Sequence, residues 1–179
     1  MNTPAKLECT ITYLEMRAPP TDPGPPVPAV KLALMRAEQP SVAFYRFLYE
    51  TVGSPWMWYE RNRLGDNELS AIISDPGVEI YVLYVGGAPA GFSELDLRRL
   101  PEIELAYFGL MPEFIGRGLG PYLLRWTIDQ AWTNTAKRLR VNTCNLDHPR
   151  ALGLYQRCGF VAYKQKTNLI DDPRDIQDH

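Results

Sequence analysis

Residues 114–124 read FIGRGLGPYLL, and this stretch constrains the fold more sharply than any other. Gly116, Gly118 and Gly120 alternate with Arg117 and Leu119, and an apolar run follows at once. The backbone is left nearly bare where a helix begins, with Pro121 at a place where a first helical residue sits and a missing N–H has no intrahelical partner to lose. The first amides of a helix point outward unpaired, and the helix dipole favours negative charge beside them. A turn of this kind therefore suits an anion, phosphate above all.

The segments around the turn alternate between strand and helix. EIELAYFGLM reads as a strand directly ahead of it, and Leu124, Ile128, Ala131 and Trp132 follow at helical spacing. Upstream, EIYVLYV and AGFSELDL flank Gly86-Gly87 as the arms of a β-hairpin. Downstream come LRVNTCNL as strand, PRALGLYQRC as helix and FVAYKQK as strand. Nearer the start, VKLALMRAE is a strand, and SVAFYRFLYETVG and GDNELSAIISDPG are short amphipathic helices. An early strand, LECTITYLEM, precedes the proline-rich connector Ala18 to Pro28, whose missing donors favour extended backbone. The expected class is α/β, with a mixed, mostly antiparallel central sheet flanked by helices. Residues 1–28 form the N-terminal strand and connector, and 29–179 a single domain.

Composition narrows the function classes. With 179 residues, 45% of them apolar, the chain can bury one substantial core. Nineteen basic against 21 acidic side chains leave a net charge of -2, which offers no general attraction to nucleic acid or to an anionic membrane. An anionic ligand must be held locally. Cys9, Cys144 and Cys158 are odd in number and not spaced as metal ligands, so neither a disulfide framework nor a metal site is expected. No apolar run approaches a membrane span, and MNTPAKLE lacks the layout of a signal peptide, so the expectation is a cytoplasmic protein. A homodimer is compatible with the sequence.

Two motifs resemble those of the GNAT superfamily of N-acetyltransferases, which move an acetyl group from acetyl-coenzyme A to an amine. The first is an Arg/Gln-x-x-Gly-x-Gly/Ala turn, which falls on Ile115, Gly116, Arg117, Gly118, Leu119 and Gly120. The glycines match, while Ile115 stands where the family has a polar residue. The second is an Asn-x-x-Ala-x-x-Leu-Tyr-x-x-x-Gly-Phe pattern, matched by Ala151, Leu154, Tyr155, Gly159 and Phe160 with His148 in place of the asparagine. A Walker loop, by contrast, needs a lysine that is absent here.

The resemblance implies an acyl-coenzyme A N-acyltransferase fold, with the amides of the glycine turn on the pyrophosphate of coenzyme A. It further implies that Phe108, Gly109 and Leu110 offer backbone groups to the pantetheine arm. Tyr155 is then the acid that protonates the departing thiolate, a role open to a phenol whose reference pKa is about 10. Glu104, eleven residues before Ile115, is the candidate base for the amine's proton, with Glu102 on the same strand face as the alternative. Trp56, Trp58 and Tyr59 lie where the family often builds its acceptor pocket, and packing is their other reading. The implied substrate is a small-molecule or peptide amine. A catalytically silent acyl-coenzyme A sensor is the competing function, and turnover separates the two.

Overall fold

The hairpin expected around Gly86-Gly87 lies at the heart of the sheet and organises what surrounds it. The computed structural model describes residues 5–175. The MNTP start of the N-terminal segment and the last four residues of the expected 29–179 domain lie outside the described residues. Seven strands, β1 (Lys6–Met16), β2 (Leu32–Arg36), β3 (Val78–Val85), β4 (Ala88–Arg99), β5 (Glu102–Leu110), β6 (Arg138–Cys144) and β7 (Val161–Asp171), form one sheet in the order β2-β3-β4-β5-β6-β1-β7. Every neighbouring pair is antiparallel except β5 and β6. The sheet is therefore mixed and mostly antiparallel, as the sequence pattern predicts.

Four helices cover its two faces: α1 (Val42–Gly53), α2 (Asp66–Ile73), α3 (Leu119–Trp132) and α4 (Ala151–Arg157). The Ser41 hydroxyl accepts from the Phe44 amide and starts α1, whose Tyr45, Leu48, Tyr49 and Val52 pack with Leu69 and Ile73 of α2 on one face. On the other face Leu124, Ile128 and Ala131 of α3 join Leu14 and Met16 of β1, Tyr155 of α4 and Phe160 in a second core. The Thr127 hydroxyl, 2.8 Å from that of Ser93, ties α3 to β4 through a buried polar contact that needs this partner.

β1 has a place that periodicity alone does not reveal. It is inserted between β6 and β7, pairing with Arg140 and Leu139 on one side and with Val161 to Asp171 on the other. The connector after it is pinned to α3, where the Arg125 guanidinium donates to the Asp22 carboxylate at 2.8 Å and to the Asp22 carbonyl at 2.6 Å. β7 runs to Asp171, five residues beyond the FVAYKQK segment, because β1 supplies a partner along its whole length. No helix among the described residues is long and apolar enough to cross a membrane.

Candidate active site

The cleft opens where two parallel strands stop pairing. β5 and β6 share only three residue pairs: Glu102 with Arg138, Ile103 with Leu139 and Glu104 with Arg140. β5 continues its ladder with β4 as far as Leu110, so its other edge beyond Glu104 has no strand partner. Backbone donors and acceptors on that edge are available to a ligand. A cavity of about 690 Å³ fills the gap.

At one end of the cavity stands the glycine turn. Gly116 and Gly118 have φ of +82° and +76°, in the left-handed region, and a Cβ on either would meet nothing within 4 Å. Backbone curvature demands these glycines, and the space above them is open. Gly118 is the residue before α3, whose first turn begins Leu119-Gly120-Pro121. Pro121 is thus the third helical residue and not the first; at either place its missing N–H forfeits no intrahelical bond. This bare, curved backbone at a helix start fits a pyrophosphate.

A bulge in β5 arranges the other end. Glu94 of β4 pairs with Tyr107 and Leu95 with Leu105, so Ala106 is the extra residue. Glu104 and Tyr107, three apart, would point to opposite faces of a regular strand. With the bulge they share the face of Glu94 and Asp96, and both line the cavity. Gly109 pairs with Phe92 on this face and lets α1 approach, since a Cβ there would come within 2.4 Å of Val52 Cγ1.

The two candidate bases differ in their partners. Glu102 is held by Arg138, whose Nη1 donates at 3.0 Å, and faces Arg140 at 3.3 Å. Those cations hold its carboxyl below the usual range, the Arg138 hydrogen bond foremost. Glu104 lines the cavity and engages no ion pair or side-chain hydrogen bond among the described residues. Across the cleft, Tyr155 meets Phe108 edge-on at 6.1 Å and is 6% exposed. Burial, then the charge of Asp147, raises its phenol above the ordinary value, so it keeps its proton at neutral pH.

A splayed parallel pair, a bulged strand and a glycine turn at a helix start are now joined by a family match. Residues 42–160 match the model of the acetyltransferase (GNAT) family. The chain belongs to that family.

Solved structures share this GNAT fold at low identity. A conserved protein of unknown function from Staphylococcus epidermidis ATCC 12228 superposes with a TM-score of 0.65 at 15% identity, over 93% of this chain and 63% of its own. A GCN5-related N-acetyltransferase from Sphaerobacter thermophilus gives 0.61 at 18% identity, over 93% of this chain and 51% of its own. An IAA acetyltransferase from Bacillus cereus ATCC 14579 gives 0.58 at 22% identity, over 75% of this chain and 79% of its own. This chain spans less than two thirds of the length of the first two relatives. No curated protein matches it in sequence.

In this GNAT chain the cleft gathers Glu104, Phe108, Gly109, Leu110, Ile115, Gly116, Gly118, Gly120 and Tyr155. Two side chains expected at the cofactor do not line it. Leu119 is 2% exposed and packs into the core with Leu83, Ala90 and Leu123, which leaves only its amide for a ligand. Arg117 is exposed and its guanidinium lies over the Phe114 ring at 5.1 Å. His148 accepts the Arg150 amide on Nδ1 at 3.1 Å, the loop cap its place before Pro149 suggests. Burial, then the nearby Arg150 charge, lowers its pKa, so the imidazole is neutral near pH 7. Burial pushes the Cys144 thiol up to about 12 and raises Cys158 as well, which keeps both unreactive.

The sequence reading missed the most deeply buried charge. Glu94 is 0% exposed and accepts from the Tyr45 hydroxyl at 2.5 Å and from Arg61 Nη2 at 2.6 Å. Burial raises its carboxyl above the usual value against the pull of those two donors. Arg61 also lies over the Tyr107 ring at 5.3 Å, and Tyr107 donates to Glu60 at 2.8 Å. The loop that walls the cleft is thus fastened to β4. Tyr45→Phe is expected to destabilise the protein by about 1–3 kcal/mol, because one buried carboxylate oxygen loses its donor. A urea titration checks this, and an unchanged midpoint would mean that the hydroxyl contributes nothing.

Proposed function

We propose that this GNAT chain transfers an acetyl group from acetyl-coenzyme A to a primary amine, of a small molecule or a peptide, by direct attack and in the cytoplasm. The observation that carries the reading is the meeting of the glycine turn, the free edge of β5, Glu104 and Tyr155 in one cleft. When bound, the acyl-coenzyme A supplies a thioester whose carbonyl carbon accepts the amine nitrogen as the carbon–sulfur bond breaks. The amides around Gly116, Gly118 and Gly120 bind the pyrophosphate. The unpaired β5 edge at Phe108, Gly109 and Leu110 orients the pantetheine arm and directs an N–H at the developing oxyanion. Glu104 takes the ammonium proton before attack, since an amine protonated near pKa 10 has no lone pair. Tyr155 gives its proton to the departing sulfur.

Thiol release from acetyl-coenzyme A across a panel of amines tests the reading. Binding without turnover for any amine would leave the silent sensor in its place. A pH–rate profile isolates the base. Glu104→Gln is expected to lower kcat/KM about tenfold at pH 7, with the deficit shrinking as rising pH supplies free amine. Glu102→Gln should do less, because its carboxylate is committed to Arg138 and Arg140. A larger loss for Glu102→Gln would move the base two residues upstream.

A further inference from the structure

The contact between Trp56 and His148 joins the two faces of the sheet. Trp56 ends a short helical turn, Ser54–Trp56, directly after α1, which packs on one face. His148 lies in the link from β6 to α4, which packs on the other. Both side chains line the cleft, and their rings stand 4.7 Å apart between centroids at an interplanar angle of 60°. Elements on opposite faces of a sheet touch only round an edge or across a break in it. The break here is the one between β5 and β6, whose pairing ends at Glu104 and Arg140, and His148 follows the C-terminal end of β6 on its open side.

Each ring is held by its own chain. Met57, at φ +55°, redirects the backbone directly after Trp56, and Trp58 beyond it packs into the α1 core while Trp56 does not. Trp58 lies so close to Gly53 that a Cβ there would come within 2.5 Å of it. On the other side, the Arg150 amide donates to His148 Nδ1 at 3.1 Å, and Pro149 stiffens the link between them.

A coenzyme A thioester bound at this cleft crosses the same break. Gly120 lies beside Leu154 of α4, so the glycine turn belongs to the α3 and α4 face. Glu104 shares the opposite face with Gly109, against which α1 packs. The nucleotide end and the reacting end are therefore on different faces. With the two rings apart, the pantetheine arm can slide into the break sideways, whatever acyl group it carries. With the rings together the break is closed all round, and the arm enters only acyl end first.

Resting on the coenzyme A placement proposed above, we infer that Trp56 and His148 close the break into an aperture through which the donor is threaded, so that slim acyl groups such as acetyl enter faster than wide ones such as benzoyl. An aromatic contact of this kind shifts an open-to-closed equilibrium by up to about tenfold, and a wide donor, which waits for the open form, is slowed by that factor. The rings meet again round the arm once it is inside, so entry and exit slow alike and affinity does not change.

Stopped-flow tryptophan fluorescence on the whole protein, with acetyl-coenzyme A and benzoyl-coenzyme A as probes, tests this without any amine. In the parent, benzoyl-coenzyme A is expected to associate about tenfold more slowly than acetyl-coenzyme A. Trp56→Ala should raise its association and dissociation rates together by about tenfold, with the dissociation constant unchanged, and leave both rates of acetyl-coenzyme A within about twofold of the parent's. His148→Asn keeps an acceptor for the Arg150 amide and removes the ring, so it should do the same, and it carries the test if Trp56→Ala fails to fold. The two changes combined should add nothing further, because either one opens the contact. Equal association of the two donors in the parent overturns the inference, as does a gain for benzoyl-coenzyme A confined to slower dissociation and tighter binding, which is the mark of added room alone. Failure of both donors to bind would sink the coenzyme A placement and this inference with it. The expected rates without thiol release to any amine would sink the transferase reading and leave the aperture standing.

Discussion

Gly118→Asp is expected to weaken acetyl-coenzyme A binding by about 100-fold while the protein stays folded. The residue sits at φ +76° with open space above it, so the new side chain meets no wall. Asparagine and aspartate are the side chains that best tolerate this backbone region. What remains is charge. A carboxylate placed about 5 Å from a phosphate at an effective dielectric near 20 costs about 3 kcal/mol, which converts to roughly two powers of ten in affinity. Gly118→Asn has nearly the same shape and conformational cost without the charge, and it should lose less than about tenfold. Calorimetric titration of both variants distinguishes them. Equal affinities would show that no phosphate rests on the turn, which would then be a structural connection only.

Tyr155→Phe is expected to lower turnover by about 10²–10⁴-fold, the usual span for a general acid, with acetyl-coenzyme A affinity preserved. The ring would keep its edge contacts with Phe108 at 6.1 Å and Phe160 at 5.9 Å, so only the proton is removed. The sign of the pKa displacement matters here. Burial raises the phenol, so the acid form persists through the alkaline range in which an amine gains its lone pair. The parent should therefore keep rising in rate where an acid of ordinary pKa would begin to fail. Parental rates in the variant, with the chemical step shown to be limiting by single-turnover measurement, would return Tyr155 to a packing role.

The sequence exposed those parts of the site that depend on backbone. Clustered glycines beside an apolar helix announce a turn, and the structure puts Gly116 and Gly118 in it at positive φ, with Gly120 already the second residue of α3. The distance from the turn favours Glu104 over Glu102 in the sequence, whereas the hold of Arg138 and Arg140 on Glu102 is visible only in the structure. The Tyr45–Glu94–Arg61 network stayed hidden for a specific reason. β4 is covered on both faces, so Phe92, Glu94 and Asp96 alternate with Ser93, Leu95 and Leu97 without a polar side to betray the inward carboxylate. The β5 bulge was equally silent, since one extra residue leaves no mark in a run of mixed apolar and acidic side chains. Likewise, LECTITYLEM declares a strand but not its neighbours, and nothing in it says that β6 and β7 stand on either side.

That insertion sets an order of events on the ribosome. Residues 6–16 emerge before the other six strands of this sheet, yet their partners begin at Arg138, and Lys6 reaches its bond to Asp171 across 165 positions. Through most of synthesis this eleven-residue strand has no edge to join. The hairpin of β3 and β4, with β2 and β5 beside it, draws on contacts much nearer in sequence and can assemble meanwhile. The first of these seven strands to be made waits for β6, and β7, whose strand partner is β1, joins after it. β6 holds to β5 by three residue pairs only, so the far wall of the cleft becomes firm when β1 docks against it. A nascent chain stalled before residue 138 would present the glycine turn with Trp56, Trp58, Tyr59 and Tyr107, but neither Tyr155 nor the strand that faces them.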